Sequence, residues 1–247
     1  MEDEELKQIP FPFMPQNLMG NTDFMVTDCN REAFAMVAQW PHWLENGLVI
    51  YGPEGCGKTH LAHLLVDKVK KTLQHGENIS IVNAAQIKMR NVNRLAMENK
   101  HLVVENLTAK ADNEALFHLF NIFHNEEGRS ILWTSATAPH YMHFPLKDLQ
   151  SRLNMLPSIA IKEPDDQMLQ MLIVKLFNDR QLRISPEILE YIIHHTQRSF
   201  FYVCRLVEEI DAVSLAYQVS VNYFVVQKAL SILKDQEDKQ PDLFDEW

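Results

Sequence analysis

The sequence predicts an α/β fold: a parallel five-stranded sheet sandwiched by helices, followed by a small all-helical unit. Three observations predict it. Five short apolar runs, at residues 48–51, 79–82, 102–104, 131–133 and 159–161, recur along the first two thirds of the chain. Between them lie longer stretches with helical periodicity, at 58–73, 113–124 and 147–156. Beyond Glu163-Pro164 the apolar runs cease and the pattern is helical throughout. Short β-rich runs separated by helix-length segments need crossover connections, and these pair strands in parallel with helices covering both faces.

Taken in chain order, residues 1–22 hold several prolines and a Gly-Asn pair with little periodicity, which reads as an extended arm. Residues 23–162 are the α/β unit. Residues 163–234 offer four helices, near 165–178, 186–194, 200–217 and 221–233. Ser185-Pro186 is a strong start signal, an N-cap hydroxyl followed by proline in the first turn. Residues 235–247 are polar and acidic and are expected to form a tail. Trp40 and Trp43 read as helix-packing aromatics or a loop anchor, and Met25, Met36, Met89 and Met97 as apolar filler.

Composition narrows the function classes. The chain has 247 residues and a formal net charge of −10. A protein that lives on phosphate-backbone contacts presents a basic surface, so dominant duplex-DNA binding is disfavoured. Cys29, Cys56 and Cys204 are widely spaced and odd in number, which fits neither a disulfide framework nor a metal cluster. Met1 to Lys7 is acidic with no long apolar run, and no stretch reaches membrane-spanning length. A cytoplasmic protein with no membrane association is expected.

The chemistry concentrates at Gly52-Pro53-Glu54-Gly55-Cys56-Gly57-Lys58-Thr59, which fits G-x-x-x-x-G-K-[ST]. An apolar run leads in and an amphipathic helix beginning Lys58-Thr59-His60 leads out, the context a phosphate-binding loop requires. Glycines let the backbone curl so that N–H groups face phosphate oxygens, and the helix adds its positive end. Lys58 would reach the β- and γ-phosphates, and the Thr59 hydroxyl would ligate Mg²⁺. ADP or ATP is the expected ligand. Glu105, ending the run His101-Leu102-Val103-Val104, supplies the carboxylate that Mg²⁺ or its water shell needs. Asn106 follows, where a water-activating base often stands. An amide can orient water but cannot take its proton, so slow intrinsic hydrolysis is expected.

These motifs resemble the DnaA-type AAA+ family, and within it the Hda-like regulatory inactivators, over roughly residues 8–235. The resemblance implies an α/β nucleotide domain followed by a helical lid, with the nucleotide seated between them. Leu132-Trp133-Thr134-Ser135 is similar to the sensor 1 segment, with Thr134 near the γ-phosphate; a strand end capping its own turn is the plainer role. Leu149-Gln150-Ser151-Arg152-Leu153 resembles the arginine-finger segment, so Arg152 would act in trans on a neighbour's ATP, against the alternative of a solvated helix-face arginine. Arg205 aligns with the sensor 2 arginine, with Arg198 as its rival and a surface ion pair to Glu208 or Glu209 as the plain alternative. Phe24, Val26 and Asn30 lie in a segment similar to the one that packs over adenine, and core packing is an equal alternative for the two apolar side chains.

The resemblance also implies partners: a DnaA-type initiator, the polymerase sliding clamp, and DNA only indirectly. Full initiators of this family add a helix-turn-helix domain after the lid. Here the lid pattern ends near Lys234 and a short acidic stretch follows, so a regulator is expected rather than an initiator. Two peptides fit clamp binding through a Gln amide and paired apolar residues. One is Gln8 with Phe11 and Phe13; the other is Gln240 with Leu243 and Phe244. The function expected is promotion of hydrolysis of initiator-bound ATP at the clamp. A nucleotide-switched adaptor and a self-sufficient helicase-loader-type ATPase are the alternatives, and the oligomeric state, homodimer included, stays open.

Overall fold

The computed structural model describes residues 24–72 and 77–239. Five parallel strands, β1 (Gly47–Tyr51), β2 (Ile79–Asn83), β3 (His101–Leu107), β4 (Ser130–Ser135) and β5 (Ser158–Ala160), form one sheet in the order β2-β3-β4-β1-β5. The α/β expectation holds. The central strand β4 is buried at all six positions, and the edge strand β5 is partly exposed. Burial falls toward the edges because only inner strands are covered on both faces.

Side-chain alternation assigns each strand residue to a layer. Leu48, Ile50, Val103 and Leu132 join Ala33, Val37, Leu61 and Leu65 from α1 (Arg31–Ala38) and α2 (Lys58–Thr72). Val49, Leu102, Val104, Ile131 and Trp133 face the other way, onto α3 (Val92–Glu98), α4 (Asn113–Asn125) and α5 (Lys147–Met155). A third core is built by α6 (Asp166–Asp179), α7 (Pro186–His195), α8 (Phe200–Tyr217) and α9 (Tyr223–Lys239), with Ile173, Phe177, Val203, Leu206 and Ala229 at its centre. Asp165, Ser185 and Ser199 cap α6, α7 and α8 by accepting from the backbone N–H three residues on.

Several elements differ from expectation. Strands β3 and β4 extend beyond their apolar runs because their polar ends are hydrogen-bonded. His101 Nδ1 lies 2.8 Å from Ser130 Oγ, which accepts from Trp40 Nε1 at 2.9 Å. Trp40 and Trp43 anchor the loop after α1, the latter donating to the Met36 carbonyl at 2.8 Å. Met89 and Met97 are exposed, since the short α3 turns Val92 and Ala96 inward. Helix α9 runs to Lys239 rather than stopping near 233. Its polar last turns are held by Gln236, which accepts from Arg205, and by Glu237, which accepts from Gln197. Among the described residues, no helix is long and apolar enough to cross a membrane.

Candidate functional site

Strand β1 delivers Tyr51 to a loop that curls at the C-terminal edge of the sheet. Gly52 N–H donates to the Ser135 carbonyl at 3.2 Å, tying the loop to the end of β4. A Cβ on Gly52 would lie 2.2 Å from the Ile161 carbonyl oxygen, so only glycine fits between the loop and the chain leaving β5. Gly55 has φ +64°, in the left-handed region that side chains strain to enter. Lys58, the first residue of α2, folds its ammonium back over the loop, donating to the carbonyls of Gly52 (2.8 Å) and Pro53 (2.7 Å). Cys56 is buried beneath it, and burial raises its thiol pKa, partly opposed by the Lys58 charge 3.8 Å away. A curled backbone, a helix N-terminus and a cation converge here, and together they favour a bound anion.

Beside the loop stand Glu105, Asn106 and Thr134. Thr134 pairs with Ile50 in the sheet register, and Ser135 with Tyr51, so β4 presents them at the height of the loop. Asn106 has φ +56°, and the β3–β4 register shifts between Val104 and Leu107. Asparagine tolerates this conformation better than most residues, and the resulting bulge re-aims its neighbour. Asn106 N–H donates to Thr134 Oγ1 at 3.3 Å, pinning the bulge. Glu105, half-buried, has its Oε1 buried with no hydrogen-bond partner. An orphaned carboxylate oxygen at a strand end is the donor type a hard divalent cation takes. The exposed Thr59, in the first turn of α2, offers a hydroxyl of the same class.

A cleft opens from the loop toward the helical unit. Its floor is Cys56, Gly57, His60 and Ile161, and Phe24, Met25 and Asn30 close one side. Phe24 stacks on Phe34 (centroids 5.3 Å) and meets the His60 ring edge-on at 5.1 Å. Asn30 accepts from Thr27 N–H and donates to the Met25 carbonyl, both at 3.0 Å, so its amide shapes the segment that walls the cleft. Val26 is half-buried and is not part of the lining. The opposite wall is Leu172, Lys175, Leu176 and Asp179 of α6 with Phe200 of α8. None of these five was singled out in the sequence, because they reach the loop only through tertiary packing.

Arg152 is half-buried on α5 and makes no hydrogen bond or ion pair among the described residues. Arg205 is not brought to the cleft; its Nη2 donates to Gln236 of α9 at 3.0 Å. Arg198 is bonded to the Pro164 carbonyl (3.0 Å) and to Asp166 (2.5 Å), and Glu208 pairs with Arg180 at 3.5 Å. The phosphate loop is met instead by Ser199 and Phe200. Gln8, Phe11, Phe13, Gln240, Leu243 and Phe244 lie outside the described residues.

Residues 19–112 match the family model of the bacterial DnaA ATPase domain. The chromosomal replication initiator protein DnaA of Buchnera aphidicola is 25% identical over 207 residues, covering 78% of this chain and 47% of the relative. The chain thus spans about half the length of the curated relatives it matches. Domain III of Thermotoga maritima DnaA superposes with a TM-score of 0.73 at 18% identity, covering 86% of this chain and 94% of that one. AMPPCP-bound DnaA from Aquifex aeolicus gives 0.60 at 18% identity, covering 83% and 77%. In sequence the chain is thus similar to the ATPase domain of DnaA proteins. The sheet and its helices have the AAA+ P-loop fold of DnaA domain III. The strand-end cluster lies where open α/β sheets bind ligands, outside the carboxyl ends of the strands.

Proposed function

We propose that the chain binds an adenine nucleotide at residues 52–59 and serves as a Hda-like regulator that promotes hydrolysis of ATP held by a DnaA-type initiator. The observation that carries this reading is the pairing of a complete phosphate loop with an arginine, Arg152, that has no hydrogen-bond or ion-pair partner among the described residues. The AMPPCP bound by the Aquifex relative supports an adenine nucleotide here. The phosphates would rest on the loop amides and Lys58, and the nucleoside would enter the cleft between Phe24 and Phe200. Mg²⁺ would be held by Thr59 and Glu105 and would neutralise phosphate charge. Thr134 fixes the backbone of Asn106, whose exposed amide orients water without accepting its proton. Intrinsic turnover is therefore slow, and the bound nucleotide acts as a switch.

Catalysis in trans follows from Arg152. A guanidinium placed against a neighbour's transferring phosphoryl group offsets its charge and raises the rate by about three to five orders of magnitude. The partners are the initiator and the sliding clamp, the latter engaged by the peptide at Gln8, Phe11 and Phe13 or by that at Gln240, Leu243 and Phe244. The organisation proposed is an arm at 1–22, a nucleotide domain at 23–162, a lid at 163–234 and a tail at 235–247. Initiator ATP hydrolysis, measured with this protein, clamp and DNA, tests the reading. Wild-type protein stimulates it and Arg152→Ala loses at least about a hundredfold of the stimulation. Equal stimulation by the variant overturns the finger role. Nucleotide and clamp binding with no stimulation by wild type leaves an adaptor.

A further inference from the structure

We propose that Phe200, seated by Ser199, covers the bound nucleoside and couples an occupied phosphate loop to the helical unit, in the place where the resemblance expects an arginine. The inference rests on the nucleotide reading above and adds the residue that reports occupancy. Three contacts land on the loop from one turn of α8. Phe200 N–H donates to the Gly55 carbonyl at 2.9 Å. Ser199 Oγ fills the space beside Gly55, 2.1 Å from where a Cβ would stand. The Phe200 ring lies 3.5 Å from the corresponding point on Gly57, and it lines the cleft.

The same turn is fastened to the third core. Tyr202, Val203 and Leu206 are buried there, and Phe200 packs against that core. A displacement of the loop therefore moves α8 as a body, since a close-packed core transmits a shift rather than absorbing it. Arg205 lies one turn further along α8 with its guanidinium committed to Gln236. An aromatic ring on a loop glycine can do what a phosphate-seeking arginine would not: it senses the nucleoside, and the phosphates only through the loop backbone.

ADP and inorganic pyrophosphate are titrated into wild type, Phe200→Ala and Phe200→Leu, with amide hydrogen exchange followed in residues 52–59 and 199–203. Pyrophosphate needs only the loop. Phe200→Ala is expected to weaken ADP roughly tenfold while pyrophosphate shifts by less than about twofold. At saturating ADP, exchange still slows in the loop of this variant but no longer at 199–203, and Phe200→Leu recovers part of both effects. Equal weakening of the two ligands marks a purely structural side chain and overturns the proposal. So does an α8 response that survives Phe200→Ala but is lost in Arg205→Ala. Wild-type protein whose loop responds to ADP while α8 does not overturns this inference alone. No loop response to ADP in wild type removes the nucleotide reading and this inference together.

Discussion

Asn106 shows how much of the site depends on one backbone conformation. Its positive φ falls within the β3–β4 register shift that also contains Glu105, and the Thr134 hydroxyl accepts from its N–H there. Glycine enters that conformation without strain, whereas a β-branched side chain does not. Asn106→Gly should therefore unfold in urea within about 0.5 kcal/mol of wild type, and Asn106→Val should lose about 1–3 kcal/mol. A valine variant as stable as wild type would show that the bulge relaxes freely. At this scale the sequence was legible where chemistry is contiguous. The eight residues of the phosphate loop carry their spacing on their face, as does Glu105 at the end of an apolar run. Phe200, Lys175 and Asp179 were not legible, because they line one cleft with Cys56 and Gly57 only after segments more than a hundred residues apart have packed together. Arg205 shows the same limit: in the structure it donates to Gln236 of α9, and one helical turn decides whether a side chain faces the loop or α9.

The elements themselves were read well in type and less well in extent. Apolar runs marked the strands, but His101, Ser130 and Ser135 belong to them too, and hydrogen bonds that no linear pattern displays keep these polar ends buried. Helices α1 and α3, two turns each, are too short for a 3.6-residue repeat to declare itself. Two predictions belong here. The contact of α8 with the loop is steric, so Gly55→Ala should lower stability by about 1–3 kcal/mol through strained φ and the clash with Ser199. Adding Ser199→Gly should recover part of the loss, since glycine is nearly as good an N-cap as serine. Strict additivity in this double-mutant cycle, read from urea midpoints, would show that the two residues do not touch.

The second prediction concerns the start of β3. Burial lowers the His101 pKa below its ordinary value; the nearby Glu77 carboxylate opposes this, while Lys100 and Arg129 add to it. The unfolded chain, with an ordinary imidazole near about 6.5, thus takes up its proton at higher pH than the folded one. The stability that neutral His101 contributes is whole above the unfolded pKa and is lost as pH falls from there toward the folded one. Urea midpoints of wild type between about pH 8 and pH 5 should drop more steeply than those of His101→Gln. Parallel slopes would remove His101 from the acid response.

For the molecule as a whole, the alternation of runs and helices announced a parallel sheet with helices on both faces, but not its strand order. The order β2-β3-β4-β1-β5 places β4 between the strand that enters the phosphate loop and the strand that carries Glu105 near its end. Only that insertion puts Thr134 within reach of the Asn106 backbone while Ser135 holds Gly52. The cleft beside the loop is likewise a property of the assembly, walled by two cores that the sequence separates at Glu163-Pro164.

Arg152 occupies an unusual position in this architecture. Among the described residues nothing bonds to it, while Leu149 and Leu153 on either side secure its helix to the sheet. The described contacts thus give its guanidinium no bonding role in the fold, and Arg152→Ala is expected to keep the chain folded. Under the proposed role in trans, its replacement divides what the protein is from what it does to others.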